Sequence, residues 1–253
     1  MDLNPGLQKI AKLLVWNTYC ENSDTNRITA CLERFKPDIV VLCEATKGHI
    51  EAVSRQYPYV AHARDYIQDG VICYLVIAAN TPLREVDIAS HGSEDKQPAS
   101  WLARKKGWVE FLDTIAASFP ALGFRVLCLH LSAGCGPTRR RGELEAAAMQ
   151  ISSDGPFIVA GDFNSFSSPW ISPFVAFPLR YQCSDWLKHE REANNSWFLE
   201  RGFIAAVDGI TFPRFRFRLD QVYLRGMTIV KSAASIDCWG SDHRPIIVEV
   251  AVP

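Results

Sequence analysis

The stretch Ile158-Val159-Ala160-Gly161-Asp162-Phe163-Asn164-Ser165 decides how this chain is read. Its apolar lead-in begins at Phe157, just past the turn signal Gly155-Pro156, and reads as a short buried strand. The strand stops at Gly161. Asp162 and Asn164 follow two residues apart, and in an extended backbone such residues point the same way. An acid and an amide leaving one strand end together suit the holding of a hard cation, or of a water beside a phosphate. The competing account is an Asx-turn that caps a helix running from Ser165 or Ser168 to Ala176. The rest of the chain decides between them.

The same arrangement recurs upstream. Lys12 to Asn17 is an apolar strand that ends in an amide. Asp24 caps a predicted helix, Thr25 to Phe35, with Ile28, Cys31, Leu32 and Phe35 at helical spacing. Asp38 to Glu44 is a second buried strand, and it ends in a carboxylate. Strand–helix–strand with polar ends would set Asn17 and Glu44 side by side at one sheet edge. A helix from Lys47 to Gln56 follows, leading to Tyr57-Pro58 and a strand through Ala63, then a turn at Asp69-Gly70, a strand from Val71 to Ala78 and an edge strand from Leu83 to Ile88. Ser90 to Lys106, with Arg104-Lys105-Lys106 between Trp101 and Trp108, reads as a mobile surface loop or, as the rarer alternative, a substrate loop with an aromatic platform.

Further along, Trp108 to Ile115 and Phe124 to Leu131 read as two strands, the second turning His130 away from Leu129 and Leu131. Arg139-Arg140-Arg141 opens a helix from Gly142 to Ile151. Three arginines normally mark a solvated helix start, but the positive end of a helix prefers acids, which slightly favours an anion nearby. The alternation Arg214-Phe215-Arg216-Phe217-Arg218 reads as a strand with one apolar and one cationic face, running on to Asp220. Val222 to Leu224, Thr228 to Ile236 and Ile246 to Val250 complete the strands, with Ser241-Asp242-His243-Arg244-Pro245 as a polar turn before the last. There is no repeat, linker or shift of composition, so residues 1–253 are expected to form one domain.

The 253 residues are 48% hydrophobic and 22% charged, enough for one sizeable core. No apolar run is long enough to span a bilayer, and Met1 to Lys9 lacks a basic segment followed by an apolar one. A cytoplasmic protein with no stable membrane insertion, monomeric, is expected. None of the eight cysteines forms a C-x-x-C pair, which argues against a zinc cage. Cys43, Cys73 and Cys128 lie in strand-like runs and read as core residues; all eight read as reduced. With a net charge of −1, a phosphate ligand would have to be held by local arginines rather than by a basic face.

Asn17, Glu44, His130, Asp162, Asn164, Asp220, Asp242 and His243 each follow an apolar strand. One sheet end bearing one site is the economical account. The set is rich in oxygen and holds no Cys, which selects Mg²⁺ or Mn²⁺ over zinc. A divalent ion with imidazoles suits attack of water on phosphorus. Asp220 with His243 is the candidate pair in which an acid fixes and activates an imidazole.

Val15-Trp16-Asn17, Leu42-Cys43-Glu44, Leu129-His130-Leu131, Gly161-Asp162-Phe163-Asn164, Leu219-Asp220-Gln221-Val222 and Ser241-Asp242-His243-Arg244-Pro245 resemble, in order, the motif series of the endonuclease/exonuclease/phosphatase superfamily. The tail looks nearest to bacterial YafD-like members. The resemblance implies an α+β fold, a four-layer α/β/β/α sandwich of two mixed sheets flanked by helices, DNase I-like, with the site at one end. It implies Glu44 as main metal ligand with Asn17 and Asp242, and Asp162 and Asn164 on the attacking water and the phosphate. His243, steadied by Asp220, would be general base or phosphate-binding cation. His130 would stabilise transition-state charge or protonate the leaving group. Two positions depart from the family pattern: Cys43 stands where many members have Gln, and His130 where abasic-site endonucleases have Tyr.

The expected activity is hydrolysis of phosphodiester bonds, with DNA or RNA as substrate and Arg216, Arg218 and Arg244 as substrate-binding cations. The rivals are a phosphomonoesterase, a sphingomyelinase-type lipid phosphodiesterase, for which Trp170, Phe174 and Phe177 offer an apolar hairpin, and a catalytically inactive binding module.

Overall fold

Alternation along the strands sets the architecture. The computed structural model describes residues 9–91, 107–152, 154–165, 185, 189–206 and 209–252. In its first strand, β1 (Ile10–Asn17), Leu13 and Val15 are buried on one face, and Leu14 and Trp16 on the other. A strand buried on both faces belongs to an inner sheet with cover above and below. After β1 come α1 (Thr25–Phe35), β2 (Ile39–Ala45), α2 (Lys47–Ser54), β3 (Tyr59–Gln68), β4 (Val71–Ala79) and β5 (Arg84–Ser90). Then follow β6 (Val109–Glu110), β7 (Asp113–Phe119), β8 (Phe124–His130) and α3 (Pro137–Ala147), which tightens into a 3₁₀ turn at Ala148–Gln150. The chain continues with β9 (Phe157–Asp162), α4 (Glu190–Leu199), β10 (Ile204–Ala205), β11 (Asp220–Arg225), β12 (Thr228–Ala234) and β13 (Ile246–Ala251).

Among the described residues the strands form two mixed sheets. One has the order β12-β13-β1-β2-β4-β3-β6, the other β10-β11-β9-β8-β7-β5. Their inner faces meet in one core that takes Leu13, Val15, Val41, Leu75 and Ile77 from the first sheet and Ile115, Val126, Ile158 and Val222 from the second. The outer face of the first sheet, with Leu14, Trp16, Val40 and Leu42, packs on Ile28, Cys31 and Leu32 of α1 and Val53 of α2. The outer face of the second, with Leu127, Leu129, Phe157, Val159 and Tyr223, packs on Leu144 of α3 and Phe198 of α4. The expected four-layer sandwich is therefore present. The seven described cysteines are free; Cys43, Cys73 and Cys128 lie in the strands and are buried. Among the described residues, no helix is long and apolar enough to cross a membrane.

Two parallel pairings position the site. β1 runs parallel to β2 with Asn17 opposite Cys43, and β8 runs parallel to β9 with His130 opposite Asp162. Parallel neighbours end at the same edge, so the polar residues that close these four strands share one end of the sandwich. β11 is antiparallel to β9 and starts there instead, with Asp220 opposite Asp162.

Several expected elements are corrected. The strand read from Trp108 to Ile115 is two strands in different sheets: β6 pairs with β3, and β7 with β5 and β8. The chain crosses between them at Leu112, whose φ of 52° breaks the extended run. The Arg/Phe alternation from 214 to 218 is a turn, not a strand. Phe212 and Phe217 pair across it, Pro213 removes a donor and Arg216 turns left-handed at φ 58°. Arg214 and Arg216 are exposed while Arg218 is buried, so they do not form one cationic face. The helix read from Gly142 begins five residues earlier, with Pro137 in its first turn. The anion inferred near its arginines is made of protein carboxylates: Arg140 Nε donates to Glu190 Oε1 at 2.7 Å and Arg139 Nε to Glu143 Oε1 at 3.1 Å. β3 runs five residues past Ala63. The helix read as starting at Ser165 or Ser168 and ending at Ala176, the cluster Arg104-Lys105-Lys106 and the group Trp170, Phe174 and Phe177 lie outside the described residues, Ser165 excepted.

Candidate active site

Gly161 lets β9 deliver its acid. A Cβ at this position would stand 1.9 Å from the Leu129 carbonyl oxygen of β8, and its φ is 143°. The two backbones meet closely, and Asp162 emerges beside His130. Asp162 Oδ1 accepts the Asn164 N–H at 2.8 Å. That is the Asx-turn, formed without removing Asp162 from the site, since its Oδ2 accepts from Asn17 Nδ2 at 2.9 Å.

Asn17 joins the two sheets. Its Nδ2 also donates to Glu44 Oε1 at 2.8 Å, and its Oδ1 accepts from Tyr19 N–H at 3.0 Å. Glu44 sits at a bulge between β2 and β4 with a φ of 55°. Its Oε2 accepts from Tyr66 Oη at 2.6 Å. Bulges next to active sites commonly re-aim a side chain in this way.

Two imidazoles face these carboxylates, each backed by its own acid. His130 Nδ1 donates to Asp65 Oδ2 at 2.9 Å, which leaves Nε2 3.9 Å from both Glu44 Oε1 and Asp162 Oδ2. His243 Nδ1 donates to Asp220 Oδ2 at 2.7 Å, with Nε2 3.9 Å from Asp162 Oδ2 and 4.0 Å from Asp242 Oδ1. Burial works to lower the pKa of His243, but the charge and hydrogen bond of Asp220 outweigh it and bring it up to about 10. Burial likewise opposes the rise at His130, and Asp65 drives it well above the usual histidine range. Both shifts favour the charged form of the ring. Asp242 is pushed up to about 6, first by burial and then by the charge of Glu44, with His243 opposing. Asn164 Nδ2 donates to the Leu131 carbonyl at 2.8 Å and lies 3.1 Å from His130 Nε2.

Glu44, Asp65, His130, Asp162, Asn164, Asp242 and His243 line one cleft of about 350 Å³. The structure thus brings Glu44 and Asp242 to the same pocket, with Asn17 and Asp220 hydrogen-bonded behind it. Arg216, Arg218 and Arg244 are not among the described residues lining it. Arg218 borders a second cavity with Arg191 and Asn195, and the Arg244 N–H ties down the Thr211 carbonyl at 2.7 Å.

The sequence reading missed Asp65 and Tyr66. It ended their strand at Ala63, yet the alternation continues, with Ala63 and Asp65 buried and Arg64 exposed between them. It also missed Phe212 and Leu219, which wall the cleft beside His243.

The donor set fits a hard divalent cation. Ligand atoms of Glu44, His130 and Asp162 lie within 4.8 Å of one another, as do those of Asp162, Asp220 and His243. Five carboxylates, of Glu44, Asp65, Asp162, Asp220 and Asp242, gather around two imidazoles, and the buried Asp220 Oδ1 has no hydrogen-bond partner among the described residues. Cations offset charge of this kind, and oxygen donors favour hard ones.

A two-sheet sandwich with carboxylates and imidazoles at one end is the fold and site of hydrolases that act on phosphoester bonds. A sequence model of the Endonuclease/Exonuclease/phosphatase family matches residues 14–243, and the chain belongs to that family. No curated protein matches the sequence significantly. Among solved structures, the endonuclease/exonuclease/phosphatase from Beutenbergia cavernae DSM 12333 is similar, with a TM-score of 0.72 and 16% identity over 96% of this chain and 72% of that one. An AP endonuclease from Archaeoglobus fulgidus gives 0.63 and 14% over 94% and 98%. D. rerio TDP2, complexed with single-strand DNA product, gives 0.61 and 14% over 96% and 99%.

Proposed function

We propose that this chain is a Mg²⁺- or Mn²⁺-dependent hydrolase that cleaves phosphodiester bonds in nucleic acid. One observation carries the reading: two imidazoles, each fixed by a buried acid, face Glu44, Asp162 and Asp242 across one cleft. The nucleic-acid part is supported by the similar structures, an AP endonuclease and a TDP2 holding single-strand DNA product. We further propose a single-domain monomer of the cytoplasm; the seven described cysteines are free, which fits a reducing compartment.

Glu44 and Asp242 would hold the ion, with Asn17 fixing Glu44 and Asp162 in register. A bound divalent ion supplies Lewis acidity and offsets charge on the phosphate. Asp162 orients the attacking water and accepts its proton. His243, as imidazolium, donates to a non-bridging phosphate oxygen, and Asp220 keeps it charged and aimed. His130, held at Nδ1 by Asp65, donates from Nε2 to the departing oxygen, and Asn164, fixed by the Leu131 carbonyl, would help to bind the phosphate.

Glu44→Ala and His243→Ala should each lower hydrolysis of bis-p-nitrophenyl phosphate by roughly 10²-fold or more, with the circular dichroism spectrum unchanged. EDTA should do the same to the unaltered chain. Full activity in either variant would remove the mechanism. A panel of single-stranded DNA, duplex DNA, RNA, nucleotides, phosphoinositides and sphingomyelin identifies the substrate, and turnover of monoesters alone would sink the nuclease reading.

A further inference from the structure

Phe215 is 58% exposed, yet its ring is built into a stack. It lies on Phe212 at 5.7 Å with a 27° tilt, and on Phe217 at 6.0 Å with the same tilt. The Arg214 guanidinium sits 5.6 Å from the centre of the Phe215 ring, and Arg214 and Arg216 are both exposed beside it. The turn that carries them is rigid. Phe212 and Phe217 exchange backbone hydrogen bonds of 2.9 and 3.0 Å, and Arg216 N donates to Pro213 O. Thr211 Oγ1 accepts from the N–H groups of Leu219 and Asp220 at 3.0 and 3.1 Å. This fastens the turn to the acid that holds His243. Phe212 lies 4.9 Å from the His243 ring and lines the cleft.

We propose that the turn from 212 to 217 is a stacking platform for an unpaired base next to the scissile phosphate of a single-stranded nucleic acid. The proposal rests on the phosphodiesterase reading and names its substrate class. Three features select this occupant. A flat exposed ring offers a face for a base, and such stacking is tolerant of sequence. Two arginines beside the ring match the phosphates on either side of a base. The stack is continuous with the wall of the cleft, so a strand with its phosphate at His243 passes directly over it. A lipid surface is a poorer match. Interfacial anchoring scales with buried apolar area, and only Phe215 of the three rings is exposed at the tip.

The test is fluorescence anisotropy of a labelled single-stranded oligonucleotide in EDTA, where no turnover intervenes. Phe215→Ala should weaken binding on the order of tenfold, and Phe215→Trp should keep it. Arg214→Gln with Arg216→Gln should weaken binding and flatten its salt dependence. The circular dichroism spectrum of Phe215→Ala should match that of the unaltered chain, so a loss of binding is not a loss of fold. Equal oligonucleotide affinity of Phe215→Ala and the unaltered chain would overturn the platform. So would loss of binding to phosphatidylcholine–phosphatidylserine vesicles in Phe215→Ala with oligonucleotide affinity retained. If Phe215→Ala weakens binding but the unaltered chain hydrolyses no diester with Mg²⁺ or Mn²⁺, the platform stands and the phosphodiesterase reading falls.

Discussion

Gly161 occupies a backbone conformation that side chains rarely adopt, with the Leu129 carbonyl where its Cβ would be. Gly161→Ala combines backbone strain with a backbone overlap that no rotamer relieves. It should destabilise the fold by about 3 kcal/mol, read as a lower midpoint in urea unfolding. Asp220 and His243 form the second single-residue case. Asp220 raises the His243 pKa to about 10 against the opposing effect of burial. The stabilisation from this pair is therefore full below the ordinary histidine value of 6.5, and is lost as pH rises through about 10. Asp220→Asn removes the main cause of the rise. In the metal-free protein, the NMR titration of the His243 ring should fall from about 10 toward the ordinary histidine range, with Asp162 and Asp242 still raising it. A titration left near 10 would mean that another group holds the charge.

At the scale of the element, the loop after β1 depends on α2 through one imidazole. His49 is buried in the first turn of α2, where it completes a capping box with Thr46. Its Nδ1 accepts from Thr46 N–H and meets the Thr18 hydroxyl, so Nε2 carries the proton and donates to the Asn22 carbonyl. Burial lowers the pKa of this ring. The sign is opposite to that of His243: the neutral form suits the fold, so its contribution is present above the ordinary value of 6.5 and is lost as pH falls below it. His49→Gln keeps polar atoms there without a titrating group. The stability difference between the unaltered chain and this variant, from urea melts, should shrink from pH 7.5 to about pH 5. A difference that stays constant would remove His49 from the acid response. Thr18 and Asn22 flank the turn that follows Asn17, so this element also steadies the strand end that carries Asn17.

For the whole molecule, the central core draws on both sheets, and we propose that the chain unfolds as one unit. Far-ultraviolet circular dichroism and tryptophan fluorescence should give the same urea midpoint. Under the proposed function, the carboxylates gathered at one end would couple binding of a divalent ion to stability. Mg²⁺ at a hundred times its dissociation constant should add about 2.7 kcal/mol, seen as a higher thermal midpoint. Glu44→Gln should lose most of that rise. A thermal midpoint indifferent to Mg²⁺ and Mn²⁺ in the unaltered chain would argue against a metal site in this cleft.

Local pattern alone determined much of this. An apolar strand closed by a polar residue is visible at Asn17, Glu44, His130 and Asp162, because strand periodicity and the chemistry of the closing residue are both properties of neighbours in sequence. The extent of α1, with Asp24 as its cap, was legible for the same reason. What required the tertiary structure is whatever depends on which strands lie side by side. Asp65 acquires its role only because β3 brings it against His130 and Glu44, and Glu190 becomes the anion for Arg140 only across fifty residues of chain. The run from Arg214 to Arg218 has the alternation of a strand, but pairing of Phe212 with Phe217 closes it into a turn. Periodicity measures only which faces are apolar; closure of the chain upon itself is a long-range event, and it decides which of those faces meet.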